Sequence, residues 1–258
     1  MRRRLALIES RILPRGWSDV VRQLLLFLGA YVLYEVVRGL FGSGSGYKPF
    51  GDADRIISFE RALHVFIEPA VQSWTQKTHW LMDLADWTYL NAHLAVTIGA
   101  LTFIYLRRND SFYFVRNMFM IAMLVALVGY AVFPTAPPRL YPEWGFTDSV
   151  QQFTGIHVEN GAGSAFLNAY AAVPSMHVCF ALMTGVPMSR FVKRRVCKVL
   201  WLIYPLFIVF VVIATGNHYL TDVFLGALTA GLAALLAARL LARVRPGAWE
   251  FGSVAHSH

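Results

Sequence analysis

The sequence predicts an all-α integral membrane protein: a bundle of six transmembrane helices, an interfacial helix at the outer face, and a long loop between the third and fourth spans. Hydrophobic residues make up 57% of the 258 residues and charged residues only 15%, whereas about a quarter of a typical soluble domain is charged. The apolar residues also lie in runs long enough to cross a bilayer. We therefore interpret residues 1–258 as a single membrane domain.

The long apolar runs define the spans. We place them at residues 20–41, 79–106, 112–133, 174–191, 196–215 and 219–241. After the first span, apolar residues recur at helical spacing at Ile56, Phe59, Leu63, Phe66 and Ile67. Charged residues occupy the other faces of this segment, which predicts an amphipathic helix over residues 53–70 lying in the membrane interface.

The formal net charge of +8 is distributed unevenly between the connections. Basic clusters occur at the N-terminus, at residues 107–116, at residues 190–198 and at residues 243–245. Because basic residues are retained on the cytoplasmic side, this alternation predicts six spans with both termini in the cytoplasm. The loop at 134–172 and the starts of the fourth and sixth spans then lie outside a cell membrane. The basic residues form no single stripe and no reader motif, so we expect no nucleic-acid partner.

Three segments on this outer side carry reactive or anion-binding side chains. Phe-Pro-Thr-Ala-Pro-Pro-Arg ends at Arg139, Pro-Ser-Met-His ends at His177, and Asn-His-Tyr-Leu-Thr-Asp covers residues 217–222. His218 and Asp222 are four residues apart and share a helix face, so the carboxylate can fix the tautomer of the imidazole and leave the other nitrogen as a nucleophile. His177 is placed to donate a proton.

The anion-binding groups come from the same segments. Arg139 can bind phosphate oxygens in pairs. Ser175 is a predicted helix cap, and the free backbone N–H groups at two helix starts would suit a phosphate. Each residue alone also has a structural explanation, as an interfacial or helix-bonding polar group. Their occurrence together on one side favours catalysis.

Other polar residues have no such pattern. We interpret Glu35 and Arg38 as a structural ion pair three residues apart in the first span. We also interpret four further histidines as structural, and these are His64, His79, His93 and His157.

The Pro-Ser-Met-His and His-Tyr-Leu-Thr-Asp segments resemble the type-2 phosphatidic acid phosphatase superfamily. Together with Phe-Pro-Thr-Ala-Pro-Pro-Arg, they are most similar to its inositol phosphorylceramide synthase branch, over residues 130–230. The resemblance implies that His218 becomes phosphorylated, that Asp222 orients it and that His177 protonates the leaving group. It further implies phosphate binding by Arg139, with no metal and no cofactor, and we also expect Ser175, Asn217 and Tyr219 to bind substrate.

The sequence also departs from the phosphatases of this superfamily. Their lysine–arginine–proline motif has no clean copy here, Met176 stands where their middle motif has glycine, and Val212 stands where their third motif has arginine. Fewer phosphate-binding cations favour headgroup transfer from a phospholipid or polyprenyl phosphate to an alcohol acceptor. Release of inorganic phosphate by a simple lipid phosphatase stays open, and a non-catalytic transporter is a remote alternative.

The loop at 134–172 leaves two interpretations open. Its aromatic residues are expected either to form a lid or lipid-entry surface or to belong to an interfacial aromatic belt, and they are Trp144, Phe146, Phe153 and Phe166.

Overall fold

The computed structural model describes residues 13–40, 48–155, 170 and 172–241, and they form helices joined by turns and short irregular segments. The all-α prediction is confirmed for this part of the chain. The described residues form ten α-helices, which are numbered in chain order. They are α1 (Gly16–Leu40), α2 (Pro49–Ala62), α3 (Glu68–Gln76), α4 (His79–Trp87), α5 (His93–Arg107), α6 (Asn109–Val132), α7 (Ser149–Thr154), α8 (Met176–Phe191), α9 (Arg195–Ala214) and α10 (Leu220–Leu236).

Two π-helical segments extend this framework. Thr88–Ala92 joins α4 to α5 in one continuous rod, and Ala237–Leu241 continues α10. A π-turn inserts an extra residue into a helix and is often found at functional sites. The first of these segments lies beside the cavity described below.

Five helical stretches in the described residues are long and apolar enough to cross a membrane: Gly16–Arg38, His79–Arg107, Asn109–Val132, Arg195–Ala214 and Leu220–Arg239. They match five of the predicted spans to within a few residues. The remaining predicted span, 174–191, corresponds to α8, which has 16 residues. The structure therefore supports a membrane-spanning bundle, and the six-span count stays a prediction.

The single interfacial helix predicted over residues 53–70 is in fact two helices. The left-handed conformation of His64 (φ 57°) ends α2. The N–H of His64 then donates to the carbonyl of Arg61 at 3.0 Å, and the N–H of Val65 donates to that of Glu60 at 2.9 Å. These two bonds form the Schellman motif that commonly terminates helices. The chain restarts at α3, where Pro69 occupies the first turn.

The inner face of α2 also differs from the expected one. Ala53, Ile56 and Ile57 are buried in a cluster with Tyr141 and Tyr219. Glu60, expected on a polar face, is 1% exposed, whereas Phe59 and Leu63 are each 55% exposed. The helix therefore packs against the start of α10 and the loop after α6, and some of its apolar side chains point outward.

The main core lies between α6, α8 and α10. Phe119 and Ala122 of α6, Cys179 of α8 and Ala233 of α10 are fully buried within it. The short helix α8 packs against α5, α6, α9 and α10. The outer surface is apolar, as a lipid-facing surface requires, and its exposed side chains include Leu24, Leu25, Leu28, Leu33, Leu200, Leu202 and Leu206.

Candidate active site

The three segments singled out in the sequence meet at one end of the bundle, around a cavity of about 110 Å³. Pockets that enclose a whole small molecule usually measure about 300–1,000 Å³. This cavity therefore has room for a phosphate group, and the tails of a lipid must lie outside it. The residues lining it are Tyr34, Arg38, Tyr89, Tyr130, Pro137, Arg139, Ala172, Met176, His177, Asn217 and His218.

His218 occupies the turn between α9 and α10, and Asp222 follows in the first turn of α10. The Nδ1 atom of His218 lies 3.4 Å from Oδ2 of Asp222, slightly beyond the range of an ordinary hydrogen bond. Among the described residues Nδ1 has no hydrogen-bond partner. Hydrogen bonds of this kind in active sites often shorten when substrate binds. In this arrangement Nδ1 faces the carboxylate of Asp222, and Nε2 is the ring nitrogen that is left to react with a substrate.

The environment of His218 keeps its imidazole neutral. Burial and the positive charge of Arg139 together lower the pKa of His218 from 6.5 to about 3, although a hydrogen bond to the backbone of Ala172 opposes both effects. A neutral imidazole has a lone pair available for attack on phosphorus. At physiological pH His218 is therefore in the form that a nucleophile requires.

The N-terminus of α10 is occupied by the protein's own carboxylates. The backbone N–H of Leu220 donates to Glu68 at 2.7 Å, that of Thr221 donates to Glu60 at 2.6 Å, and that of Tyr219 donates to Asp222 at 2.9 Å. These are N–H groups that lack partners within the helix. The expectation that this helix start would hold a phosphate is therefore wrong, because its donors are already used.

His177 lies in the first turn of α8, across the cavity from His218. The centroids of the two rings are 6.0 Å apart. The ring of His177 stacks on Tyr89 of the π-helical segment, at 4.3 Å and 20°, and the ring of His93 lies 5.1 Å away. Nδ1 of His93 is hydrogen-bonded to the hydroxyl of Tyr204 at 2.8 Å. Aromatic contacts from α5 and the π-segment therefore fix the orientation of His177.

Arg139 is held on the turn that carries His218. Its backbone N–H donates to the carbonyl of Gly216 at 2.8 Å, and its Nη1 donates to Oδ1 of Asn217. Its Nε lies 3.3 Å from Oδ2 of Asp148. Gly216 has φ 66°, and a Cβ there would lie 2.8 Å from Nε2 of Gln72, so a glycine is needed at this turn.

Four of the seven proposed site residues line the cavity, namely His177, His218, Arg139 and Asn217. Asp222 is fully buried behind His218. Ser175 caps α8 by accepting a hydrogen bond from Val178, and it is fully buried, as is Tyr219. Neither Ser175 nor Tyr219 is among the residues that line the cavity, so the geometry gives both of them supporting positions.

The family of the chain follows from comparison with known proteins. The model of the PAP2 superfamily matches residues 54–236, a stretch that covers most of the chain and contains both cavity histidines.

The protein belongs to the PAP2 superfamily.

Members of this superfamily are phosphatases and phosphotransferases that in general need no metal, and membership implies a lipid phosphate substrate and association with a membrane. Comparison with curated proteins and with solved structures gave no match.

Several residues of this PAP2 site were not identified from the sequence. Tyr34, Arg38, Tyr89 and Tyr130 line the cavity, and His93 lies behind His177. Arg38 carried a usable signal, because an ionisable residue within an apolar span is by default a candidate for function. The tyrosines carried none, because aromatic residues are common at the ends of membrane spans.

The loop aromatics divide between different positions. Phe146 is 2% exposed and packs edge-on against Phe66, and Trp144 also packs against Phe66. Phe153 is 41% exposed and lines a second cavity, of about 360 Å³. None of these three lines the cavity of the histidines, and Phe166 lies outside the described residues. Trp144 and Phe146 therefore pack within the protein, and the lid and belt interpretations of the loop both stay predictions.

Proposed function

We propose that this PAP2 protein is a phosphotransferase that moves the phosphate-bearing headgroup of a phospholipid or polyprenyl phosphate to an alcohol, in the manner of the inositol phosphorylceramide synthases. The observation that carries the proposal is the pair of histidines, His177 and His218, whose rings lie 6.0 Å apart on one cavity with Arg139. One histidine can attack phosphorus while the other exchanges a proton with the oxygen on the opposite side.

In the first step, Nε2 of His218 attacks the phosphorus of the lipid. A P–N bond forms while the P–O bond to the lipid alcohol breaks, and His177 gives a proton to the departing oxygen. Arg139 stabilises the negative charge on the non-bridging oxygens. Asp222 stabilises the positive charge that develops on the imidazole of His218, since its Oδ2 lies 3.4 Å from Nδ1.

In the second step, an acceptor hydroxyl attacks the same phosphorus. His177, now without its proton, removes the proton of the hydroxyl, the new P–O bond forms and the P–N bond to His218 breaks. An alcohol acceptor gives a new phosphodiester, and water gives hydrolysis. The same residues serve both reactions, so the acceptor decides between a transferase and a phosphatase.

The charges around the cavity favour a phosphodiester donor. Arg139 is paired with Asp148 at 3.3 Å, and Arg38 is paired with Glu35 at 3.1 Å. Each arginine is therefore partly neutralised within the protein. A phosphodiester carries one negative charge and a phosphomonoester nearly two at neutral pH, so a site with partly compensated cations suits the diester. A phosphodiester donor corresponds to headgroup transfer.

The proposal is tested with purified protein in detergent micelles containing EDTA. A phosphodiester donor such as phosphatidylinositol, labelled in its headgroup phosphate, is compared with phosphatidate and a polyprenyl phosphate, each with and without a lipid alcohol. We expect a labelled transfer product from the diester that depends on the alcohol. His218→Ala should lower its rate by a factor on the order of 10³ or more, and His79→Ala, an exposed histidine away from the cavity, serves as the control.

Two other outcomes would change the assignment. Inorganic phosphate released from phosphatidate, with no transfer product, would establish the phosphatase alternative while keeping His218 as nucleophile. Activity that survives His218→Ala, or a labelled protein adduct that persists in that variant, would remove the phosphohistidine mechanism.

A further inference from the structure

We propose that Arg38, in the first membrane helix, is a second phosphate-binding residue of this site. The inference rests on the proposed function and names a residue outside the segment that the superfamily model matches, which begins at residue 54. It assigns α1 a direct part in binding the substrate.

The position of Arg38 is the first support. Tyr34 and Arg38 are four residues apart on α1, so they share a face, and both line the cavity that contains His177 and His218. The side chain of Arg38 is 22% exposed, and its positive charge lowers the pKa of His218. The guanidinium group is therefore within electrostatic reach of the reacting atoms.

A chain of hydrogen bonds fixes this part of α1 against the catalytic helix. The hydroxyl of Tyr34 donates to that of Tyr130 at 3.1 Å, and the hydroxyl of Tyr130 donates to the carbonyl of Pro174 at 3.3 Å. Pro174 immediately precedes the start of α8, where His177 lies. Arg38 thus lies one helical turn from Tyr34, whose hydrogen bonds lead through Tyr130 to the segment that carries His177.

The site also needs positive charge that the other expected sources do not provide. The backbone donors of α10 are taken by Glu60, Glu68 and Asp222. Val212, at the place where related phosphatases have arginine, is fully buried in an apolar cluster. Without a second cation, the negative charge of a phosphate would be balanced only by Arg139, which is itself paired with Asp148. A second arginine supplies the missing stabilisation.

The rival explanation is that Arg38 only pairs with Glu35. Nη1 of Arg38 lies 3.1 Å from both oxygens of that carboxylate. However, a guanidinium has five N–H donors, so it can hold a carboxylate and a phosphate oxygen at once. In the proposed arrangement the phosphate is the group that Arg38 serves, and the contact with Glu35 is not required for its binding. The two explanations therefore predict different effects on activity when Arg38 or Glu35 is substituted.

The test compares Arg38→Gln, Arg38→Lys and Glu35→Gln with the wild-type enzyme. Turnover of the phosphodiester donor is measured together with inhibition by orthovanadate, a small mimic of a phosphoryl group in transfer. We expect Arg38→Gln to lower kcat/KM and to weaken orthovanadate inhibition by about 10- to 100-fold, the usual effect of losing a hydrogen bond to a charged group. Arg38→Lys should fall in between, because it keeps the charge and loses the forked geometry. Glu35→Gln should stay within about threefold of wild type.

The controls separate this inference from the proposed function. Thermal unfolding in detergent shows whether Arg38→Gln remains folded, and the lysine variant preserves the test if it does not. Equal losses in Glu35→Gln and Arg38→Gln, or a wild-type response of both Arg38 variants to orthovanadate, would overturn the role of Arg38. If the role of Arg38 is overturned while His218→Ala is inactive, the proposed function still stands. Activity in His218→Ala would remove the proposed function itself.

Discussion

At the scale of single residues, three carboxylates accept the backbone N–H groups at the start of α10. Glu60 and Glu68 are 1% and 0% exposed, and each accepts a hydrogen bond from a backbone N–H of that helix. The second oxygen of each has no hydrogen-bond partner among the described residues. Burial and the neighbouring Glu60 raise the pKa of Glu68 from 4.5 to about 8. One carboxyl of the pair is therefore protonated at neutral pH.

This raised pKa makes the fold sensitive to alkaline pH. Between the unfolded value of 4.5 and the folded value of about 8, the folded state holds a proton that the unfolded state has released. Stability is consequently greatest at the acidic end of this window and declines as pH rises through it. We expect the melting temperature in detergent to fall between pH 6 and pH 9. Glu68→Gln should flatten this dependence, because its amide needs no proton and can still accept from Leu220.

Glu143→Gln is the matched control for this measurement, because Glu143 is exposed and lies away from α10. It should keep the wild-type slope of melting temperature against pH. An identical slope in Glu68→Gln would show that the buried pair does not hold the proton.

At the scale of the helices, the contact between α8 and α10 sets the position of His177. The N–H of Ser175 donates to the carbonyl of Asp222 at 3.1 Å. Gly226, one turn further along α10, faces the same point: a Cβ there would lie 2.3 Å from the carbonyl oxygen of Ser175. The close approach that a glycine permits thus joins the segments carrying His177 and His218, the two histidines proposed to be catalytic.

We therefore expect Gly226→Ala to displace the start of α8. The added methyl must push the Ser175 backbone away, which should lower kcat by about 10-fold or more through misplacement of His177 and should also lower the melting temperature. Gly231→Ala is the control on the same helix, since a Cβ there meets nothing within 4 Å. Because alanine favours helix by about 0.5–1 kcal/mol over glycine, that variant should be as stable as wild type or more so. Equal activity of the two variants would contradict the proposed importance of this contact.

The helices also show which features could be predicted from sequence. The spans were predictable because long apolar runs have few alternatives in a membrane protein. The break in the segment 53–70 was not, because it depends on a left-handed His64, a conformation that its sequence neighbours do not indicate. The π-segment at Thr88–Ala92 was not predicted either.

The site was predictable to the extent that its residues are close in sequence or at helix ends. His218 and Asp222 share a helix turn, and Pro174 marks the start that presents His177. Arg38 and Tyr89 come from distant helices, and only packing brings them to the cavity. The donors of α10 illustrate the opposite error: its start looked open to phosphate, but Glu60 and Glu68 fill it from segments more than 150 residues earlier.

At the scale of the whole molecule, α8 is short for a helix that crosses a membrane. Its 16 residues give a length of about 24 Å, less than the roughly 30 Å of a hydrocarbon core. Because α5, α6, α9 and α10 surround it, its ends need not reach the membrane surface. With α8 across the membrane, the site at its start lies among the ends of α1 and α6 and the start of α10, and a lipid phosphate can reach it while its tails remain in the bilayer.

This arrangement requires α8 to cross the membrane, which labelling of introduced cysteines can test. Lys77 lies between α3 and α4, Lys193 lies between α8 and α9, and both are exposed. Each is replaced by cysteine in a Cys197→Ser background, where Cys179 remains buried. In sealed right-side-out vesicles, a membrane-impermeant maleimide should label Lys77→Cys at once and Lys193→Cys only after detergent is added, because basic connections are retained inside. Labelling of both positions without detergent would contradict the six-span prediction, because both ends of α8 would then lie on one side of the membrane.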